Sequence, residues 1–200
     1  KNGGYDAHEA ARAYRYWYRS RPFDIGNTTA RALSAISGSA VQSGFAHRAA
    51  QSAANADSQA NGSLMRISPL AVWGSAALDD DSLAARVRID SSITHPHAAC
   101  GDACAIFAIA ISYAIRSGTN AQMVYQHVCE WVRRTPGTHG PVVEALFMAA
   151  GQPPPPESFS GSKQGWVLIA LQNAFYRLLP SRTMEHGIVD TVRMGGDTDT

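Results

Sequence analysis

Apolar residues recur along this chain at intervals of three and four, and no stretch alternates apolar and polar residues over five or six positions. A helix turns once in about 3.6 residues, so this spacing predicts helices and no confident strand. In "YDAHEAARAYRYWYRS" the residues Ala7, Ala10, Ala11, Tyr14, Trp17 and Tyr18 recur at helical spacing. Asp6, followed three residues later by Glu9, gives a capping-box-like start. Pro22 and Gly26 break the pattern into a loop. Thr28 or Thr29 is placed to cap the next helix, which carries Leu33 and Ile36, and an alanine-rich helix is expected over 44–54. Pro69 suits the first turn of a further helix, and Asp81 suits the cap of one carrying Leu83 and Val87. A turn around Pro96 feeds a long helix that is apolar on nearly every side and that Gly118 ends, so it is expected to be buried. Asn120 caps a helix with Val124, Val128, Trp131 and Val132 inward, and Pro141 starts a short helix that ends at Gly151. "GQPPPPES" is a stiff connector, "QGWVLIALQNAFYRLLP" a second strongly apolar helix, and "MEHGIVDTVRM" the last helix. The pattern predicts one all-α domain over residues 1–200, orthogonal or bundle-like.

Composition narrows the class. With 200 residues, 45% hydrophobic and 16% charged, the chain has enough apolar material for a core. A net charge of +1 without runs of like charge gives no reason to expect nucleic acid or a membrane surface as partner. It leaves a phosphate-bearing small molecule open. The most apolar run, "ACAIFAIAI" (Ala103–Ile111), is far short of the roughly 20 residues of a membrane span. Cys100, Cys104 and Cys129 are an odd number, so a reduced, cytoplasmic setting is the simpler reading. Cys100 and Cys104 lack a second ligand pair at zinc spacing. The opening "KNGGYDAHEA" has neither an initiator Met nor an apolar leader, so both ends read as artificial boundaries.

Four polar stretches stand apart from the helices. "FDIGNTT" crowds Asp24, Asn27, Thr28 and Thr29 around Gly26, although a turn and an N-cap need only one of them. In "NGSLMR" the Asn61-Gly62 pair permits positive φ and close approach of a ligand to the backbone, and Arg66 adds charge for a phosphate. The simpler reading there is an Asn-Gly turn with a surface Arg. In "THPH", His95 and His97 flank a proline at the mouth of the most buried helix, where they suit contacts to hydroxyls, phosphates or a ring. Taken alone, a capping Thr with incidental histidines is the simpler reading. In "GGDTDT", Asp197 and Asp199 offer hard oxygen donors of the kind Mg²⁺ prefers, while a solvated polar turn needs no ion. Asp102, inside the apolar helix, needs a buried partner, and a hydrogen bond to a neighbouring helix is the simpler account than catalysis.

The order of these stretches is more specific than any one of them. "WYRSRPFDIGNTT", "NGSLMRISPLA", "THPH" before an alanine-rich helix, "GWVLIALQNAFYRLL" and the closing "GGDTDT" together resemble the ADP-ribosylglycohydrolase family, over essentially the whole chain. The resemblance implies a compact all-α fold. It implies a pair of Mg²⁺ ions, or Mn²⁺, held in part by Asp197, Asp199 and Thr200 beside Gly195 and Gly196 at the substrate. The family's remaining metal ligands come from a Thr-Asp-Asp motif near the N-terminus, which this chain does not match. The chain is therefore expected to be an internal fragment lacking both termini and inactive by itself.

The implied reaction removes ADP-ribose from a modified side chain, arginine first, or from a related ADP-ribose conjugate. Cleavage at the ribose C1″ passes through an oxocarbenium-like state, as in glycoside hydrolysis. Metal ions would grip the ribose hydroxyls and orient water. Asp24 is the expected non-metal acidic participant, with Asn27 and Thr28 at the ribose or water. Asn61, Gly62, Ser63, Met65 and Arg66 are expected along the ribose-phosphate path, and His95 and His97 toward the diphosphate or adenosine. The expected partner is an ADP-ribosylated protein or an ADP-ribose conjugate. Two rival classes remain: a non-catalytic ADP-ribose binder, and a structural protein, since a lens crystallin resembles the same family. A metal-dependent phosphohydrolase acting on ADP-ribose is a further alternative.

Overall fold

The structure, a computed structural model, describes residues 4–155, 159, 161–181 and 183–195. Among these residues there are twelve α-helices and no strand; Ala60 and Trp166 form an isolated antiparallel bridge. The helices are α1 (Ala7–Arg19), α2 (Asn27–Ser34), α3 (Gly38–Gln42), α4 (Ala46–Ala53), α5 (Gly62–Arg66) and α6 (Ser68–Ala77). They continue as α7 (Asp80–Ser92), α8 (Ala98–Ser117), α9 (Ala121–Arg134), α10 (Gly140–Met148), α11 (Val167–Leu178) and α12 (Met184–Val192).

Helix α8 is the axis of the molecule. It is long and apolar enough to cross a membrane by length and composition, but 67% of its most apolar window is buried inside the fold, which makes it a core helix. Helices α5, α6, α7, α9, α10 and α11 pack around it. Small residues on α8 (Ala99, Ala103, Ala105, Ala108) let these neighbours approach, while Ile106 and Ile109 fill the space between them. Gly118 ends the helix in the left-handed region, φ 60°, where a Cβ would be strained. Asp102 is buried on α8, and its carboxylate accepts from Arg88 Nε of α7 at 2.7 Å and from the His139 backbone N–H at the start of α10 at 2.7 Å. A second buried carboxylate, Asp80 of α7, is paired to Arg116 and His127. Each charge taken from water has found partners, as burial requires.

A smaller cluster forms the N-terminal side. Ala11 of α1, Ala32 and Leu33 of α2, Ile36, Ala46 and Ala50 of α4, and Ile93 pack together, with Tyr14 and Tyr18 against them. The α1 start is as the sequence predicts: Asp6 accepts from the N–H groups of His8 and Glu9.

Several boundaries differ from expectation. Helix α2 begins at Asn27 after Gly26, with no side-chain cap, so neither Thr28 nor Thr29 caps it. The helix expected over 44–54 is α4, Ala46–Ala53, and the short α3 before it, set off by Gly44 at φ +80°, is not predicted. Asp79 rather than Asp81 caps α7, accepting from the Ser82 N–H; Asp81 instead accepts from the Trp131 indole. The short helix expected to begin at Pro141 and run to Gly151 begins one residue earlier and ends at Met148.

Candidate active site

A cavity of about 650 Å³ opens where the N-terminal cluster meets the α8 core. One wall is the C-terminal half of α1, with Tyr14 and Trp17, continuing into Asp24, Ile25 and Gly26 and the first turn of α2 at Asn27, Thr28 and Thr29. The other wall is Ala60, Asn61 and α5, with Gly62, Met65 and Arg66. His95 and Gly165 complete the lining. The sequence brings these segments together for separate reasons. The chain enters α2 through extended backbone at Gly26, with no capping side chain. The loop before α5 is tied to the loop before α11: Asn61 N–H donates to Gly165 O at 2.9 Å, Val167 N–H to Gln59 O at 2.9 Å, and the Trp166 indole to Gln59 Oε1 at 3.0 Å.

The reason for Gly62 differs from the one its sequence suggests. It adopts no positive φ. A Cβ there would meet His95 Cε1 at 2.9 Å and Thr29 Oγ1 at 3.0 Å, so the glycine lets the imidazole and the α2 hydroxyl close over α5. Asn61 is 5% exposed, and its Nδ2 is buried without a hydrogen-bond partner among the described residues. A buried amide donor beside a cleft is a group awaiting an acceptor.

His95 is 1% exposed, and its Nδ1 lies 2.7 Å from Thr94 Oγ1. Burial and, secondarily, the Arg66 charge push its pKa down to about 3, so the ring is neutral near pH 7. Arg66 lines the cavity, but its guanidinium is engaged within the protein. Nη1 donates to Thr94 Oγ1 at 2.8 Å, Nη2 donates to Asp90 O at 3.0 Å, and Nε lies 3.5 Å from the Asp90 carboxylate. The Tyr14 ring covers it at 4.7 Å. Asp90, 2% exposed, also accepts from the hydroxyls of Tyr5 and Tyr14. Burial first and the Asp90 charge second push the Tyr14 pKa up to about 12, which keeps it a donor.

The residues singled out in the sequence thus divide. Asp24, Asn27, Thr28, Asn61, Gly62, Met65, Arg66 and His95 line one cavity. Thr28 also shares a hydrogen bond with Ser58 at 2.9 Å. Ser63 is fully buried behind the lining, where it accepts from Ser91 at 2.9 Å and faces Cys104 Sγ at 3.5 Å. His97 does not line the cavity. It caps α8, its Nδ1 accepting from the Ala99 N–H, and its ring meets His139 edge-on. The capping role in "THPH" therefore falls to His97, not Thr94. Gly195 closes the last described turn at φ +76°, while Gly196, Asp197, Asp199 and Thr200 lie outside the described residues. Among the described residues no three His, Cys, Asp or Glu side chains group to hold a metal ion. Sequence reasoning missed the wall residues Trp17, Ile25 and Gly165 and the buried hub Asp90. Nothing in the local pattern distinguishes Asp90 from an ordinary helical aspartate.

The family model for ADP-ribosylglycohydrolase matches residues 1–200. A protein of Acanthamoeba polyphaga mimivirus that carries the name ADP-ribosyl glycohydrolase is 33% identical over 129 residues, which is 62% of this chain and 37% of that protein. A solved structure titled "ADP-ribosylglycohydrolase-related protein complex" shares the fold, with a TM-score of 0.72 at 22% identity over 98% of this chain and 60% of that one. The chain thus spans less than two thirds of the length of either. A match to the family over its full length, together with the same helical architecture, places this chain in the ADP-ribosylglycohydrolase family.

Proposed function

We propose that the cavity between α1–α2 and α5 binds ADP-ribose, and that the protein hydrolyses the bond between ADP-ribose and a modified side chain, arginine first. The observation that carries this reading is convergence: three polar stretches separated widely in the chain supply Asp24 and Asn27, Asn61 and Gly62, and His95 to one cavity. Its size lies in the range of small-molecule sites, and its lining mixes aromatic and aliphatic surface with a few polar groups.

The chemistry assigned to each residue follows from its type. Asp24 takes a proton from the attacking water as the water oxygen bonds to C1″. The C1″–N bond breaks, and the guanidine departs with its electron pair and a proton from solvent. Asn27 orients the water or a ribose hydroxyl. The unpaired Asn61 amide donates to a ribose or phosphate oxygen, and His95 faces the diphosphate side. A bound Mg²⁺ would supply a grip on the ribose hydroxyls, and Asp197, Asp199 and Thr200 are the residues proposed to hold it.

The test is turnover of ADP-ribosyl-arginine by the full-length protein with Mg²⁺. Asp24→Asn is expected to lower kcat by about 10²–10⁴-fold, the usual weight of a general base, with ADP-ribose affinity retained. Absence of turnover in the native protein would refute the hydrolase reading, and an Asp24→Asn variant as fast as native would refute Asp24 as the base. ADP-ribose binding without any turnover would favour the non-catalytic binder.

A further inference from the structure

We infer that Arg66 is a positioning residue rather than a ligand, and that through Thr94 it fixes His95 as the tautomer with its proton on Nε2. His95 thereby becomes a dedicated hydrogen-bond donor at the cavity floor.

The argument is an accounting of protons. Arg66 has only donors to offer, so its Nη1 at 2.8 Å makes Thr94 Oγ1 an acceptor. The Thr94 side chain is fully buried, and its other partner is His95 Nδ1 at 2.7 Å. If Thr94 donates its hydroxyl proton to Nδ1, the Thr94 hydroxyl and His95 Nδ1 are both satisfied. If Nδ1 carried the proton instead, Thr94 oxygen would accept twice and its own O–H would have no acceptor among the described residues. Buried donors without partners are rare and costly. The first arrangement leaves the ring proton on Nε2.

The geometry upstream keeps Arg66 from turning away. The Asp90 carbonyl takes Nη2, its carboxylate faces Nε, and Gly62 O accepts a longer bond from Nη1 at 3.3 Å. Tyr14 lies across the guanidinium and donates to Asp90 at 2.9 Å. Asp90, Arg66, Thr94 and His95 thus form one directed line running from the buried hub to the cavity. At its far end the Cε1–Nε2 edge of the imidazole lies over Gly62, and both residues line the cavity. The charged groups of this line are Arg66 on α5 and Asp90 on α7; the titratable groups near them are Tyr5 before α1, Tyr14 on α1 and the thiols of Cys100 and Cys104 on α8. Burial, with Arg66 second, favours the neutral ring, which can have only one N–H.

A functional consequence follows, and this part rests on the ADP-ribose reading above. A neutral ring with its proton on Nε2 and Nδ1 already filled can only donate. The ligand atom at that spot must be a hydrogen-bond acceptor, as a diphosphate or ribose oxygen is.

The experiment is nitrogen NMR of His-labelled, ligand-free protein, with His95 assigned by its loss in His95→Gln. In native protein Nδ1 is expected to show the unprotonated resonance and Nε2 the protonated one. Thr94→Ser should keep that pattern. Thr94→Val removes the donor to Nδ1, and Arg66→Met frees Thr94 to accept; each should mix the tautomers. ADP-ribose affinity should then fall by up to about tenfold in Thr94→Val, the weight of one hydrogen bond, and stay within about twofold in Thr94→Ser. A proton on Nδ1 in native protein overturns the inference even if neither Thr94→Val nor Arg66→Met folds, as does an unchanged pattern in both. Correct tautomers in a protein that does not bind ADP-ribose would uphold the inference about the ring and defeat the ligand reading alone.

Discussion

The α8 core and the seam beside it solve the same problem in opposite ways. Both bury polar groups. In the core each buried carboxylate is paired: Asp102 with Arg88 and the start of α10, Asp80 with Arg116 and His127. At the seam the Asn61 amide is left without a partner, and the His95 ring edge and the first turn of α2 border an open cavity. Among the described residues the core also holds buried polar atoms without partners, Ser112 Oγ on α8 and Asn173 Oδ1 on α11, so what sets the seam apart is the open cavity beside Asn61.

Mutations can sharpen the contrast. The largest effect on folding should come from the core. Ile106→Ala on α8 removes a fully buried side chain between tightly packed helices and should destabilise by about 2–5 kcal/mol. Denaturant unfolding measures it, and ligand affinity of the folded variant should be unchanged. An intermediate effect belongs to the seam. Gly62→Ala sets a methyl 2.9 Å from His95 Cε1. It should cost about 1–3 kcal/mol by overpacking and, unlike the core change, should weaken ADP-ribose binding measured by calorimetry. If Gly62→Ala loses stability but binds normally, His95 does not shape the site. The smallest effect lies outside both regions. Asp6→Ala removes the α1 cap and should cost about 1 kcal/mol as a lowered Tm, without changing affinity or turnover.

Much of the fold was legible in the sequence because its signals are local. The caps at Asp6 and Asn120, the stop at Gly118 and the uniform apolarity of α8 each depend on neighbours within a few residues. The errors came where local signals are degenerate. "DDDS" offers three capping carboxylates, and only tertiary contact with Trp131 decides which one is free to cap. The site was legible as a set of stretches but not as a division of labour. Ser63 and His97 have the same chemistry as true lining residues, yet one is buried behind the wall and the other is consumed by capping α8. Arg66 looks like a phosphate ligand in sequence, and only Asp90, 24 positions away, shows where its hydrogen bonds go. Gly62 reads as a turn glycine, whereas the reason for it is the ring of a residue in another segment.

The bridge between Ala60 and Trp166 bears on how the protein is made. The Trp166–Gln59 bond joins residues 107 positions apart, and the adjoining backbone bonds close the same long loop beneath the cavity. Contacts of such separation form late, because loop entropy must be overcome before they contribute. During synthesis the α1–α2 wall can take shape early from its own neighbours, but the floor at Asn61 has no Gly165 to bind until the ribosome has passed α10. Among the described residues Gly165 is the one lining residue from the second half of the chain, so the walls of the cavity are synthesised well before the tie that fastens Asn61 from beneath.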